Sequence, residues 1–132
     1  MIHLSLCVAI ATRRAWDDGR MDRAWDFRAL ADAGIPITLG TDWPVWPSPD
    51  IMVNLRTAID GLGSRSLSRQ EAFHAYTEAA ASCLGHNQQT GCLRNGCLAD
   101  MVVLDQDPFV VDQADIATIS IDQVWLGGSQ VH

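Results

Sequence analysis

The most constraining feature of this sequence is one stretch where helix, link, strand and rigid loop follow without interruption. Asp22 can cap a helix in which Ala24, Phe27 and Ala31 recur on one face, with Leu30 beside them. Gly34 supplies the left-handed position just past its end, which residues with a Cβ resist. Ile35-Pro36-Ile37-Thr38-Leu39 then reads as a short buried strand, with Pro36 near its start, where a missing N–H is tolerated. The loop that follows runs from Gly40-Thr41-Asp42-Trp43-Pro44 through Trp46 and Pro47 to Pro49, and its prolines and tryptophans make it stiff and aromatic. A helix followed so closely by an apolar strand is an α/β repeat and predicts the α/β class.

Downstream, Met52, Leu55, Ile59 and Leu62 recur at helical spacing and predict a second helix over residues 51–60, followed by a flexible link at 61–66. Ser68 and Glu71 form an S-x-x-E capping box that starts a third helix. Its expected buried stripe is Ala72, Phe73, Tyr76, Ala80, Cys83 and Leu84, and Gly85 closes it. The character changes after Asn87. Residues 90–96 are turn-rich, residues 99–104 and 119–126 read as strands separated by an Asp107-Pro108 break, and Gly127-Gly128 signals a tight hairpin. The chain thus divides into an α/β part, residues 1–88, and a β part, residues 89–132.

Composition removes several functions. The 132 residues, 48% of them hydrophobic, suffice for a core but fall short of a complete (β/α)₈ barrel, which takes about 250. Nine basic and sixteen acidic side chains give a formal charge of −7, with no lysine at all. The arginines alternate with aspartates, so the clustered positive charge that phosphate backbones require is missing and no nucleic-acid partner is expected. The longest apolar run, residues 2–11, contains His3 and Ser5 and is half the length of a membrane span, which needs about twenty residues. Arg13 and Arg14 follow that run, whereas a signal peptide carries its positive charge ahead of it. The expectation is a cytoplasmic protein with no membrane partner and with reduced thiols at Cys7, Cys83, Cys92 and Cys97.

Three constellations could carry chemistry. Asp42 sits just past the C-terminal end of a predicted parallel strand, where α/β folds project catalytic groups. A carboxylate there can ligate a metal or act as a general base; the alternative is an Asx turn ahead of Trp43-Pro44. Trp43 and Trp46, on the same loop, either line an apolar or aromatic acyl pocket or pack in the core. Cys83, His86, Cys92 and Cys97 are four zinc-competent residues within a short stretch and define a small zinc-module alternative. Their spacing departs from paired C-x₂₋₄-C and H-x₃₋₅-H knuckles, and Cys83 falls on a predicted buried stripe. Asp105-x-Asp107 opens like a calcium loop but lacks its turn glycine and distal glutamate. His3, His74 and His132 are isolated.

Four pieces, in order, resemble one family: Phe27-Arg28-Ala29-Leu30 leading to residues 33–45; Ser68-Arg69-Gln70-Glu71-Ala72 with Tyr76-Thr77 and Ala79-Ala80; residues 91–105, with Gly91, Leu93, Gly96, Ala99 and Asp100; and Val124-Trp125-Leu126-Gly127-Gly128. Together they resemble the C-terminal end of a metal-dependent amidohydrolase, in the branch typified by N-substituted formamide deformylase. The resemblance implies a C-terminal fragment of a TIM-like (β/α)₈ barrel plus strands of a small β-sandwich. It implies hydrolysis of non-peptide C–N bonds in a small amide-type substrate. Asp42 would be the acidic metal-site residue, taking a proton from the attacking water and passing it to the leaving group. The divalent metal, usually zinc, would lower that water's pKa.

Two departures stand out. Asn95-Gly96-Cys97 replaces the family's usual Pro-Gly-Lys, which alters a turn. The H-x-H pair, the bridging carboxylate or carboxylated lysine, and the two later histidines of the family have no match in these residues. One aspartate cannot hold a catalytic metal, which takes about three protein ligands. The chain alone is therefore expected to lack bound metal and activity, as a truncated enzyme or a non-catalytic remnant or assembly module. Exposed strand edges at residues 35–39 predict self-association.

Overall fold

The structure is a computed structural model and describes residues 17–21, 24–44, 49–61 and 63–132. The predicted cap Asp22, together with His3, Cys7, Trp46, Leu62 and the apolar run at 2–11, lies outside the described residues. A four-residue helix α1 (Asp18–Met21) precedes a turn at Ala24 and Trp25, where the Trp25 φ is 51°. Helix α2 (Phe27–Asp32) is capped by Asp26, whose Oδ1 accepts the Ala29 N–H at 2.9 Å, so it starts later than the hydrophobic spacing suggests. Ala24 is buried but precedes the helix. Its end is a Schellman motif: Gly34, at φ 70°, donates to the Ala31 carbonyl at 2.9 Å, and Ile35 donates to the Leu30 carbonyl at 3.0 Å.

Residues 35–39 depart from expectation. They belong to no sheet among the described residues. Leu39 N–H donates to the Ala75 carbonyl at 3.2 Å, which fastens the segment to a helix. Ile37 and Leu39 are buried whereas Ile35 is 46% exposed. The segment is therefore buried on one side, with no neighbouring strand among the described residues.

Helix α3 (Ile51–Asp60) has the predicted bounds. Asp50 Oδ1 accepts from Met52 N–H at 2.8 Å and Val53 N–H at 3.3 Å, and Met52, Leu55, Ala58 and Ile59 turn inward. The following link contains a 3₁₀ turn (Gly63–Arg65). Helix α4 (Arg69–Tyr76) begins with the expected capping box: Ser68 Oγ accepts the Glu71 N–H, and Glu71 Oε2 accepts the Ser68 N–H at 2.8 Å. The single helix expected through residue 84 is broken at Thr77, where φ and ψ are −113° and −92°. Thr77 Oγ1 donates back to the Phe73 carbonyl at 2.8 Å, and a separate helix α5 (Glu78–Cys83) follows. The break re-aims the predicted stripe: Ala72, Ala75 and Ala81 are buried, while Cys83 and Leu84 are exposed.

The C-terminal part holds a three-stranded antiparallel sheet in the order β1 (Met101–Leu104), β2 (Ile121–Leu126), β3 (Ser129–Gln130). Met101 pairs with Trp125 and Val103 with Gln123, with an irregularity before the Leu104–Ile121 pair. Gly127 and Gly128, at φ 56° and 82°, form the two-residue hairpin turn, which requires positive φ at both positions. Asp100 Oδ1 accepts the Gly127 N–H at 2.7 Å and holds that turn in place. Asp105, one of the two aspartates that open like a calcium loop, is spent on structure: its Oδ1 accepts the Ser120 N–H at 2.8 Å.

Between β1 and β2 a 3₁₀ segment (Gln113–Thr118) packs on α3. It inserts the fully buried Ile116 beside Leu55 and Phe27, the other large side chains sealed from solvent. Gln113 Nε2 donates to the Ile59 carbonyl at 3.2 Å, Arg69 Nη1 to the Pro108 carbonyl at 3.0 Å, and the rings of Phe73 and Phe109 lie 5.0 Å apart. The core thus draws on residues from both sides of position 88. The sheet, by contrast, leaves Met101, Val102, Val103 and Leu126 exposed. Among the described residues no helix is long and apolar enough to cross a membrane.

Candidate functional site

Asp42 follows the anchored segment 37–39 at a φ of 55°, in the left-handed region that side chains with a Cβ rarely occupy. Asp is one of the few residues that tolerate it. The turn ahead of Trp43-Pro44 is made by Thr41, whose Oγ1 accepts the Trp43 N–H at 3.3 Å. No hydrogen bond or ion pair engages the Asp42 carboxylate among the described residues, and the side chain is exposed. The Asx-turn alternative thus fails on geometry, and the carboxylate is presented to solvent. Trp43 is 62% exposed, which removes it from the core. Trp46 lies outside the described residues, so the structure places one of the two tryptophans beside Asp42 on the chain.

Ion pairs shape the surface around the helices. Arg28 Nη1 and Nη2 grip Glu71 Oε2 and Oε1 at 2.7 and 2.8 Å, and Arg28 also pairs with Asp32. These bonds raise the Arg28 pKa, and the Arg28 and Ser68 donors hold the Glu71 carboxyl down to about 2. His74 Nδ1 lies 3.5 Å from Glu78 Oε2, so His74 is a surface helix residue. Tyr76 is pushed up to about 12 by burial, and its hydroxyl is sealed without a hydrogen-bond partner among the described residues.

The zinc-module alternative is corrected by the structure. Cys92 and Cys97 form a disulfide, with Cα atoms 6.6 Å apart across a turn closed by the Cys97 N–H to Arg94 carbonyl bond at 3.1 Å. That bond consumes two of the four thiolate or imidazole ligands and overturns the expectation of reduced thiols at these positions. Cys83 is exposed and outside the disulfide. Among the described residues no three His, Cys, Asp or Glu side chains converge as a metal group. Around Asp42 the described residues thus bring together fewer donors than the three or so a catalytic divalent metal takes.

Sequence reasoning missed the apolar groove over the sheet. This groove of about 690 Å³ runs between Gly91, Cys92 and Leu93 on one wall and Met101, Val102, Trp125 and Leu126 on the other. The signal was present: Met-Val-Val-Leu is a continuous apolar run, the pattern of a strand built to be covered on both faces.

Comparison with known proteins places this geometry in one class. The family model described as "Amidohydrolase family" matches residues 3–132. A Bacillus subtilis protein named as an amidohydrolase, YtcJ, is 27% identical over 124 residues, covering 86% of this chain and 23% of its own length. The imidazolonepropionase of Bdellovibrio bacteriovorus is 35% identical over 80 residues, covering 61% of this chain and 19% of its own. The crystal structure of an amidohydrolase from Thermotoga maritima superposes with a TM-score of 0.67 at 25% identity, covering 80% of this chain and 25% of that one. The mixed helix-and-strand fold is thus one found in amidohydrolases, whose family is generally metal-dependent. The chain belongs to the amidohydrolase family, and it spans about a quarter or less of the length of the relatives it matches.

Proposed function

We propose that these residues are the C-terminal part of a metal-dependent hydrolase of non-peptide C–N bonds, supplying the end of a (β/α)₈ barrel (1–88) and strands of a small β-sandwich (89–132). The observation that carries this reading is Asp42. Its carboxylate is exposed, engaged by no other described side chain, and held in a left-handed conformation just after the core anchors Ile37 and Leu39. An Asp42 Oδ atom so placed accepts a proton from the attacking water and returns it to the leaving nitrogen. Trp43 offers an exposed aromatic face beside it for a small amide-type substrate, with Trp46 on the same loop. The metal, zinc in the usual superfamily pattern, takes about three protein ligands and is not held by this chain alone. The substrate is of the formamide type on the sequence motifs; an imidazolonepropionase among the relatives adds a second substrate class to test. The residues act in the cytoplasm, and their uncovered edges favour association with a second copy over nucleic acid or membrane.

The test grafts this chain in place of the matching segment of the Bdellovibrio imidazolonepropionase and follows loss of imidazolonepropionate and of N-substituted formamides. The chimera turns over one of the two, and Asp42→Asn lowers its rate by about 10²–10⁴. Equal rates for the chimera and its Asp42→Asn variant would remove Asp42 from the chemistry. The chain by itself shows no turnover with added metal; activity lost in Asp42→Asn would overturn its dependence on further ligands.

A further inference from the structure

The loop from Gly91 to Leu98 is tied to its surroundings at its ends and its middle. Gly91 is pressed so closely onto the α4–α5 junction that a Cβ there would lie 2.7 Å from Ala81 Cβ and 2.9 Å from the Thr77 carbonyl oxygen. At the far end the Leu98 N–H donates to the Gln89 carbonyl at 2.7 Å. In the middle Arg94 Nη2 donates to the Asn87 carbonyl at 3.2 Å, and its Nη1 stands 3.7 Å from Glu78 Oε1. The disulfide Cys92–Cys97 closes the loop around Arg94, and the same loop forms one wall of the groove over β1 and β2.

We propose that Cys92 and Cys97 are a thiol–disulfide switch that sets the conformation of this loop and, through it, the shape of the apolar groove. Three features separate a switch from a permanent staple. The bridge spans a sequence separation of only five, so it constrains a small loop and its loss leaves the rest of the chain unconstrained as before. Both cysteines are half-buried and lie outside the hydrophobic core, so a reductant can reach them. The Arg94 tie is an exposed ion pair at 3.7 Å, the kind that holds a loop weakly by itself. The reductant is a dithiol. Its thiolate attacks one sulfur, the Cys92–Cys97 bond breaks, and a mixed disulfide forms. Its second thiolate then resolves that bond. Two electrons and two protons pass to Cys92 and Cys97, which become thiols, and the reductant becomes a disulfide. The inference does not depend on the catalytic reading of Asp42.

The test is limited trypsin digestion of the full chain, oxidised with glutathione disulfide or reduced with dithiothreitol, with cleavage after Arg94 and after Arg65 timed by mass spectrometry. Reduction accelerates cleavage after Arg94 by about tenfold or more, reoxidation restores protection, and cleavage after Arg65 is unchanged, as local opening requires. The double variant Cys92→Ser/Cys97→Ser cleaves at the reduced rate in both conditions. Equal Arg94 rates in the two states, a parallel rise at Arg65 from global loosening, or absence of a linked Cys92–Cys97 peptide after oxidation would each overturn the switch.

Discussion

Glu71 shows how much one side chain can carry. It accepts the backbone N–H and the hydroxyl of Ser68, at 2.8 and 2.7 Å, while both its oxygens face the Arg28 guanidinium on α2. Its carboxyl falls from 4.5 to about 2 in the folded chain. A depressed folded pKa contributes stability that is complete above the unfolded value and fades as pH drops through the folded one. The urea midpoint therefore declines between pH 4.5 and about 2, and Glu71→Gln flattens that decline. Ser68→Ala removes the cap from the first turn of α4 and costs about 1 kcal/mol in the same urea titration. Gly91→Ala meets both a φ of 82° and the close Ala81 and Thr77 atoms, and lowers stability by about 1–3 kcal/mol. The capping box was legible in Ser68-x-x-Glu71. The Arg28 partner was not, because 43 residues separate the two and nothing local encodes their meeting.

At the scale of elements, α3 was readable end to end. The apolar spacing suffices, because a buried stripe acts within one helix, and the structure adds the Asp50 cap. The break at Thr77 was not readable, since Glu-Ala-Ala-Ala favours continued helix. The Thr77 hydroxyl bonded to Phe73 and the Gly91 loop pressed on the junction mark where tertiary packing overrides that propensity. The 3₁₀ segment Gln113–Thr118 was missed for a similar reason. Its sequence has little periodicity, yet it seats Ile116 with no exposed surface against α3. Ile116→Ala therefore costs about 2–5 kcal/mol in chemical denaturation, more than an equivalent change at half-exposed Phe109.

For the whole molecule, the balance between a sealed core and an uncovered sheet decides behaviour. Phe27, Leu55 and Ile116 close one centre, while Met101, Val102, Val103 and Leu126 face solvent and residues 35–39 lack a strand partner among the described residues. Uncovered strands and apolar faces seek other chains. Sedimentation velocity at rising concentration is expected to show dimers or larger species, and a single sharp monomer boundary throughout the range would refute this.

The sequence by itself determined the capping box at Ser68 and Glu71, the span of α3, the left-handed turn at Gly34, the hairpin at Gly127-Gly128 and the four ordered pieces that together resemble the family. Each depends on neighbours within a few residues, where backbone sterics and periodic burial dominate. Only the tertiary structure decided that Asp42 is exposed with no described partner, that residues 35–39 are covered on one side, that the helix breaks at Thr77, and that Cys92 and Cys97 form a bond rather than a metal site. Those outcomes turn on which distant groups come into contact, and solvent exclusion and close approach across the fold are settled by packing that local spacing does not encode.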